Sequence, residues 1–329
     1  MEIRAGLMKA GAADWYELEA DRVAGLQGPL LLAAAALATA YVAVVAAVAG
    51  GTGAFYIMFP ELGALAYDVF GRPRGHWARA PIHLAVTPVL TGAIGILITR
   101  NLPYGFISVL LNVGAAMALL LGLGSPIAPA ISAGLLPLVL GIKSWGYPPG
   151  IMFGTVLLAA ASVPWRFLTG GLNHKAAGPV PATPRGWFWV TAYFAFVAGA
   201  VAIVKLTGLR FILFPPLAVI GFEMFGHAES CAWAGQPFRL PLVCFLTAAA
   251  GLLFHHVLGV TWITAALSMA CGMGALQVMR VHVPPALAVA LLPMVMDAPT
   301  IWYPLSVGAG TLILTLWFWY CRDRMEGPA

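Results

Sequence analysis

Charge is what this sequence has least of. Asp, Glu, Lys and Arg make up 9% of the residues and hydrophobic residues 61%, against roughly 25% charged in a soluble globular domain. A water-exposed surface cannot be covered with so little charge, so a soluble enzyme or free-standing binding domain is excluded. Cysteine is also scarce. Cys231, Cys244, Cys271 and Cys321 form no CxxC pair and no disulfide framework, and Cys244 and Cys271 fall inside apolar runs, where a small polarizable side chain packs well. No Gly-x-Ser-x-Gly, phosphate-cradling loop or dinucleotide fingerprint occurs, so the chain encodes no ATP-driven step. His255 and His256 are adjacent and on a helix point about 100° apart. With no His pair at i, i+4, the pattern argues against haem and against a zincin-like site. No catalytic residue, metal or cofactor is expected. The net charge of +5 is assigned to loops and topology, with no nucleic-acid partner.

What is present is apolar length. Runs near 20 residues recur along the chain, enough for a helix to cross ~30 Å of hydrocarbon. The runs are continuous rather than alternating, which excludes a transmembrane barrel. The expected class is all-α, a polytopic helical membrane protein whose first partner is the lipid bilayer. The first run, Leu30 to Ala49, is too long and too deep in the chain for a signal peptide. Residues 1–28, which mix charges with Met8, Trp15, Tyr16, Leu18 and Leu26, read as an amphipathic surface segment or a partly ordered tail.

The chain also says nearly the same thing twice. Phe59-Pro60-Glu61-Leu62, Asp68 and Phe70-Gly71 return as Phe214-Pro215-Pro216-Leu217, Glu223 and Phe225-Gly226, at an offset of 155. The offset then becomes 156, relating Gly95 to Gly251, Pro129-Ala130 to Pro285-Ala286, Leu135-Leu136-Pro137 to Leu291-Leu292-Pro293, and Tyr147-Pro148 to Tyr303-Pro304. Shared Pro and Gly weigh more than shared Leu because they fix backbone geometry. Two tandem homologous repeats of about six hydrophobic segments each are expected, at 29–166 and 187–322. They are separated by a Pro- and Gly-rich cytoplasmic linker, 167–186, and followed by a tail, 323–329. If each half crosses six times, Arg72, Arg74, Arg79, the linker and Arg322-Arg324 share one side, and both termini are cytoplasmic by the positive-inside rule. Arg100, Lys205 and Arg210 fit that arrangement poorly. If the short segments 55–70 and 211–225 are re-entrant, the repeats are inverted instead. Trp187, Trp189, Tyr193, Trp302, Tyr303, Trp317, Trp319 and Tyr320 gather at segment ends, where an aromatic belt is expected. Arg far outnumbers Lys and Ala is abundant, which points to a bacterial source and its cytoplasmic (inner) membrane.

The second half carries an ordered pattern: Phe214-Pro215-Pro216-Leu217-Ala218, Phe225-Gly226, Glu229-Ser230, Gln236-Pro237, Gly251, then Arg280-Val281-His282-Val283-Pro284-Pro285-Ala286 and an Ala-rich run. In this order it resembles the HPP-type integral membrane proteins. The resemblance covers roughly 210–296, and more weakly 55–140, where Ser125-Pro126-Ile127-Ala128-Pro129-Ala130 stands in for the signature. Two positions depart from the family pattern. Val283 directly precedes the Pro pair, and Ala80-Pro81 replaces Gln-Pro in the first half. Family members look like single-repeat proteins, some associated with nitrite movement across membranes, so this chain resembles a fused tandem version.

Candidate binding residues follow from the breaks in the apolar runs. Pro60, Pro129, Pro215, Pro216, Pro284 and Pro285 interrupt helices, and a membrane tolerates freed backbone only beside protein or water. Helices starting there would aim positive dipole ends at the interior, a natural anion site between repeats, or simply begin at the membrane surface. Glu61 lies deep in its segment opposite Pro216, so one half carries a carboxylate that the other lacks, as a proton-coupling residue would; a capping acid is the plainer identity. Asp68 and Glu223 are repeat equivalents at segment ends, and Gln236 and His282 belong to the family-like pattern. The expected function is membrane transport of a small solute by a secondary transporter or channel, favoured to be a small inorganic anion such as nitrite. Two alternatives stand beside it: an intramembrane enzyme or cofactor protein using buried carboxylates, and a non-catalytic membrane subunit or assembly factor. A homo-oligomer is compatible with each.

Overall fold

The computed structural model describes residues 26, 28–170, 187–228 and 231–325. The surface segment at 1–28, the linker and the tail therefore fall largely outside the described residues, as does Glu229-Ser230. Among the described residues the fold is all-helical, with no strand. Twelve α-helices run in chain order: α1 Pro29–Thr52, α2 Glu61–Gly71, α3 Pro81–Asn101, α4 Phe106–Leu123, α5 Ala130–Leu140, α6 Tyr147–Leu168, α7 Phe188–Thr207, α8 Pro215–Gly226, α9 Arg239–Leu258, α10 Trp262–Met279, α11 Pro285–Leu291 and α12 Trp302–Met325. Eight of them are long and apolar enough to cross a membrane. The protein is an integral membrane protein by that length and composition.

The other four, α2, α5, α8 and α11, are short. Eleven residues, as in α2 and α5, span about 16 Å and cannot cross alone. Each is preceded by an irregular or 3₁₀ lead-in, with a proline at or just before the helix start: Phe55–Ile57 before Pro60, the 124–129 stretch before α5, Arg210–Leu213 before Pro215, and the 280–284 stretch before α11. Proline removes a backbone donor and sets φ for a first helical turn, so the helix can begin there but cannot extend backwards through it. Lead-in and helix together reach from one end of the bundle to the other. The Trp165 indole of α6 donates to Phe70 O at the end of α2, 2.8 Å. At the opposite end of α6, Gly150 lies against the Tyr56 backbone. Gly71 and Gly226 thus lie at one end, called proximal here, together with the last turns of α6 and α12. α2 with its lead-in thus runs alongside α6 from Gly150 to Trp165.

The short helices are almost entirely buried, with every residue of α11 and all but Leu140 of α5 inside the protein; α5 and α11 carry no charged residue, whereas α2 holds Glu61 and Asp68 and α8 holds Glu223. The long helices bury 33–50% of their apolar windows, leaving the rest of each surface for lipid. The architecture is a four-helix core jacketed by eight longer helices. Two backbone approaches lock jacket to core. A Cβ on Gly95 would lie 2.1 Å from Gly134 O, joining α3 to α5, and one on Gly251 would lie 2.0 Å from Ala290 O, joining α9 to α11. The same pattern recurs in hydrogen bonds. Tyr147 OH donates to Ala133 O at 3.0 Å and Tyr303 OH to Val289 O at 2.6 Å.

Those tyrosines correct one expectation. Tyr193 and Tyr303 do not join an aromatic belt, and Trp189 is buried too. Their rings pack inward, and the Tyr193 hydroxyl reaches Ala218 O, 2.9 Å. Trp187, Trp302, Trp319 and Tyr320 do stay exposed, where a belt would put them.

Candidate functional site

The inner starts of α2 and α5 meet. Glu61 opens α2, its side chain only 1% exposed. The Ser132 hydroxyl, in the first turn of α5, donates to Glu61 Oε1. The other oxygen, Oε2, is buried and has no hydrogen-bond partner. No Lys, Arg or His forms an ion pair with Glu61 among the described residues. Pro60 and Pro129 flank this junction and are buried. Pro215, Pro216, Pro284 and Pro285 occupy the corresponding inner starts of α8 and α11 and are buried as well. The helix starts do not present bare amides, however. Leu62 N bonds Phe59 O at 3.0 Å, Ala130 N bonds Ile127 O at 3.0 Å, Leu217 N bonds Phe214 O at 2.9 Å and Ala286 N bonds Val283 O at 3.0 Å. The lead-in carbonyls already satisfy these donors, so what the starts offer the interior is mainly their dipoles.

At the proximal end the structure brings Asp68 and His282 together from opposite halves of the chain. His282 Nε2 is 3.3 Å from Asp68 Oδ1, and Arg72 Nε is 2.7 Å from the same oxygen. The Tyr67 ring stacks on His282 with centroids 5.3 Å apart. Residues 155 positions later form a second pair, His227 Nδ1 to Glu223 Oε2 at 2.9 Å. It faces the other lead-in across a small cavity of about 60 Å³ lined by Ser125, Pro126 and Ala128. Pro126 holds the place there that His282 holds beside Asp68. Gln236 sits half-buried in the turn before α9 and is not drawn into either cluster.

The distal end carries a feature that sequence reasoning saw only in pieces. Arg100, Lys143 and Arg210 line one cleft of about 340 Å³ with Thr99, Asn101 and Tyr104, and no acidic residue lines it. Arg100 Nη1 donates to Lys143 O at 2.9 Å and Arg210 Nη1 to Val139 O at 3.0 Å. The Arg210 guanidinium also lies 4.8 Å from the Tyr104 ring centroid. Burial pushes the Tyr104 phenol up to about 12, against a smaller downward pull from Arg210, so it contributes no negative charge. Two of these cations were the ones that fitted the charge rule poorly. They come from three separated segments, which is why spacing alone could not gather them. Ser132 and the Arg72/His227 equivalence were also missed. Both were legible, Ser132 as a polar residue within an apolar run and the second as an offset of 155.

Residues 179–325 match the family described as HPP, transmembrane region. This stretch belongs to the HPP transmembrane family. No curated protein and no solved structure matches the chain. The HPP region contains α7 to α12, and its His282-Val283-Pro284-Pro285 run is the lead-in that starts α11. The histidine of that run points out of its own half and onto Asp68.

Proposed function

We propose that this HPP protein is a membrane transporter or channel for a small solute, built from two parallel repeats with the site between them. The observation that carries this reading is the buried core of four short, Pro-started helices, two of whose inner starts, those of α2 and α5, meet at Glu61 and Ser132. Discontinuous helices at bundle depth are where membrane transporters build solute and ion sites. Support for the repeats comes from contacts that recur at equivalent positions: Tyr147 and Tyr303, Gly95 and Gly251, Asp68–Arg72 and Glu223–His227.

The favoured solute is a small inorganic anion such as nitrite. Supporting this are the acid-free basic cleft of Arg100, Lys143 and Arg210, which would concentrate anions at the distal mouth, and the four inner dipole ends. Pro60, Glu61, Pro129, Pro215, Pro216, Pro284 and Pro285 would surround the solute in the core. Asp68, Glu223, Gln236 and His282 would govern the proximal mouth. The proximal loops carry more Arg, including Arg72, Arg74, Arg79 and Arg280, so that end is assigned to the cytoplasm of a bacterial cell.

Purified protein in liposomes tests the reading, with nitrite, nitrate, formate and chloride as probes. Accelerated flux of at least one anion is expected, reduced severalfold by Arg210→Glu. Flux equal to that of empty liposomes for all four, across several gradients, would refute it.

A further inference from the structure

We infer that Glu61 is a proton-binding site and that the solute moves together with a proton carried on its carboxyl group. The proton identity stands on geometry and charge, and only its coupling to flux rests on the transport reading. Among the described residues Glu61 is the acid at the inner helix starts, with Asp68 and Glu223 at the proximal ends of α2 and α8, and Pro216, at the equivalent position of the other half, has no ionisable group. The groups packed around it supply no counter-charge. From α5 comes Ser132, a neutral donor to Oε1. From α6 and α12 come Tyr147 and Tyr303, whose hydroxyls are committed to Ala133 O and Val289 O. The residues of α11 are all apolar. An ionised carboxylate left there, buried and without a counter-charge, is strongly disfavoured.

The neutral acid fits the same surroundings. Ser132 holds Oε1 as acceptor, and Oε2, the oxygen without a partner, takes the proton. The O–H bond forms when the core opens toward one end and breaks when it opens toward the other, with no further reactant. Loss of the proton creates a charge that favours the open, hydrated core over the closed one, so deprotonation would be tied to opening and the return of the empty core would be slow. An anion that crosses together with this proton moves no net charge through the membrane.

The test is infrared spectroscopy of the full-length protein in lipid, wild type against Glu61→Gln, combined with flux. A protonated carboxyl C=O band at neutral pH, present in wild type and missing in Glu61→Gln, is expected. Nitrite flux in the wild type should quicken severalfold with an inward proton gradient, and in Glu61→Gln it should ignore that gradient. A wild-type-minus-variant spectrum holding only carboxylate bands would overturn the proton site whatever the flux. A protonated band with flux no greater than empty liposomes would sink the transport reading and leave the proton site standing. Should Glu61→Gln fail to fold, wild-type protein is treated with dicyclohexylcarbodiimide, which captures protonated carboxyls in apolar surroundings. Mass spectrometry should then find the adduct on Glu61, and its absence counts against the proposal.

Discussion

Gly251 offers the sharpest test of how the core is held. It lies on α9 with no side chain between it and α11, and a Cβ there would sit 2.0 Å from Ala290 O and 2.8 Å from Ala290 C. Both neighbours are backbone, so no rotamer change can relieve the overlap, and the two helices must part by roughly 1.5 Å to reach ordinary contact. Overpacking of this kind costs about 1–3 kcal/mol, and separating two packed helices also forfeits a quarter to a half of the dispersion along their seam. Against this stands the gain of up to about 1 kcal/mol from replacing Gly by Ala inside a helix. The net expectation for Gly251→Ala is a loss of about 2 kcal/mol. Gly274 gives the control, because it lies within α10 and nothing falls within 4 Å of its built Cβ. There only the propensity gain remains, so Gly274→Ala should stabilise by about 0.5–1 kcal/mol. Unfolding in mixed micelles, followed by tryptophan fluorescence, measures both. If the two variants shift in the same direction, the close backbone approach is not what the glycine is for.

Three further outcomes follow from the same contacts. Tyr147→Phe and Tyr303→Phe each strand a buried carbonyl and should cost about 1–2 kcal/mol apiece in the same unfolding assay, with similar size if the halves are built alike. Asp68→Asn leaves Arg72 and His282 without their acid; a loss of about 3 kcal/mol is expected, which Arg72→Gln in the same chain should partly restore, and additivity of the two would argue against the cluster. Single cysteines at His76 and Ala232, in a cysteine-free background, should be labelled by an impermeant reagent from the same side of the membrane. Labelling from opposite sides would refute the parallel arrangement of the two halves.

Much of this molecule was legible in one dimension because a bilayer constrains sequences so severely. Low charge and long apolar runs leave only a helical membrane protein, and every unpaired backbone group in hydrocarbon is penalised, so prolines inside such runs mark the broken crossings. The short segments, their Pro60, Pro129, Pro215 and Pro284 starts and the buried Glu61 could all be read from residue order. The depth and direction of those segments could not, because an 11-residue helix turns back or passes through depending on where its lead-in packs. Contacts between residues far apart, Trp165 with Phe70 and Gly150 with Tyr56, set α2 and its lead-in alongside α6. The sequence by itself determined class, element order and the positions where helices must break, all consequences of local backbone chemistry and the solvent. Tertiary structure alone decided that Ser132 caps Glu61 without a counter-charge, that the inner amides are already occupied, and that Arg100, Lys143 and Arg210 share one cleft. Electrostatic and packing partners are chosen by distance in space, and spacing along the chain carries no record of it.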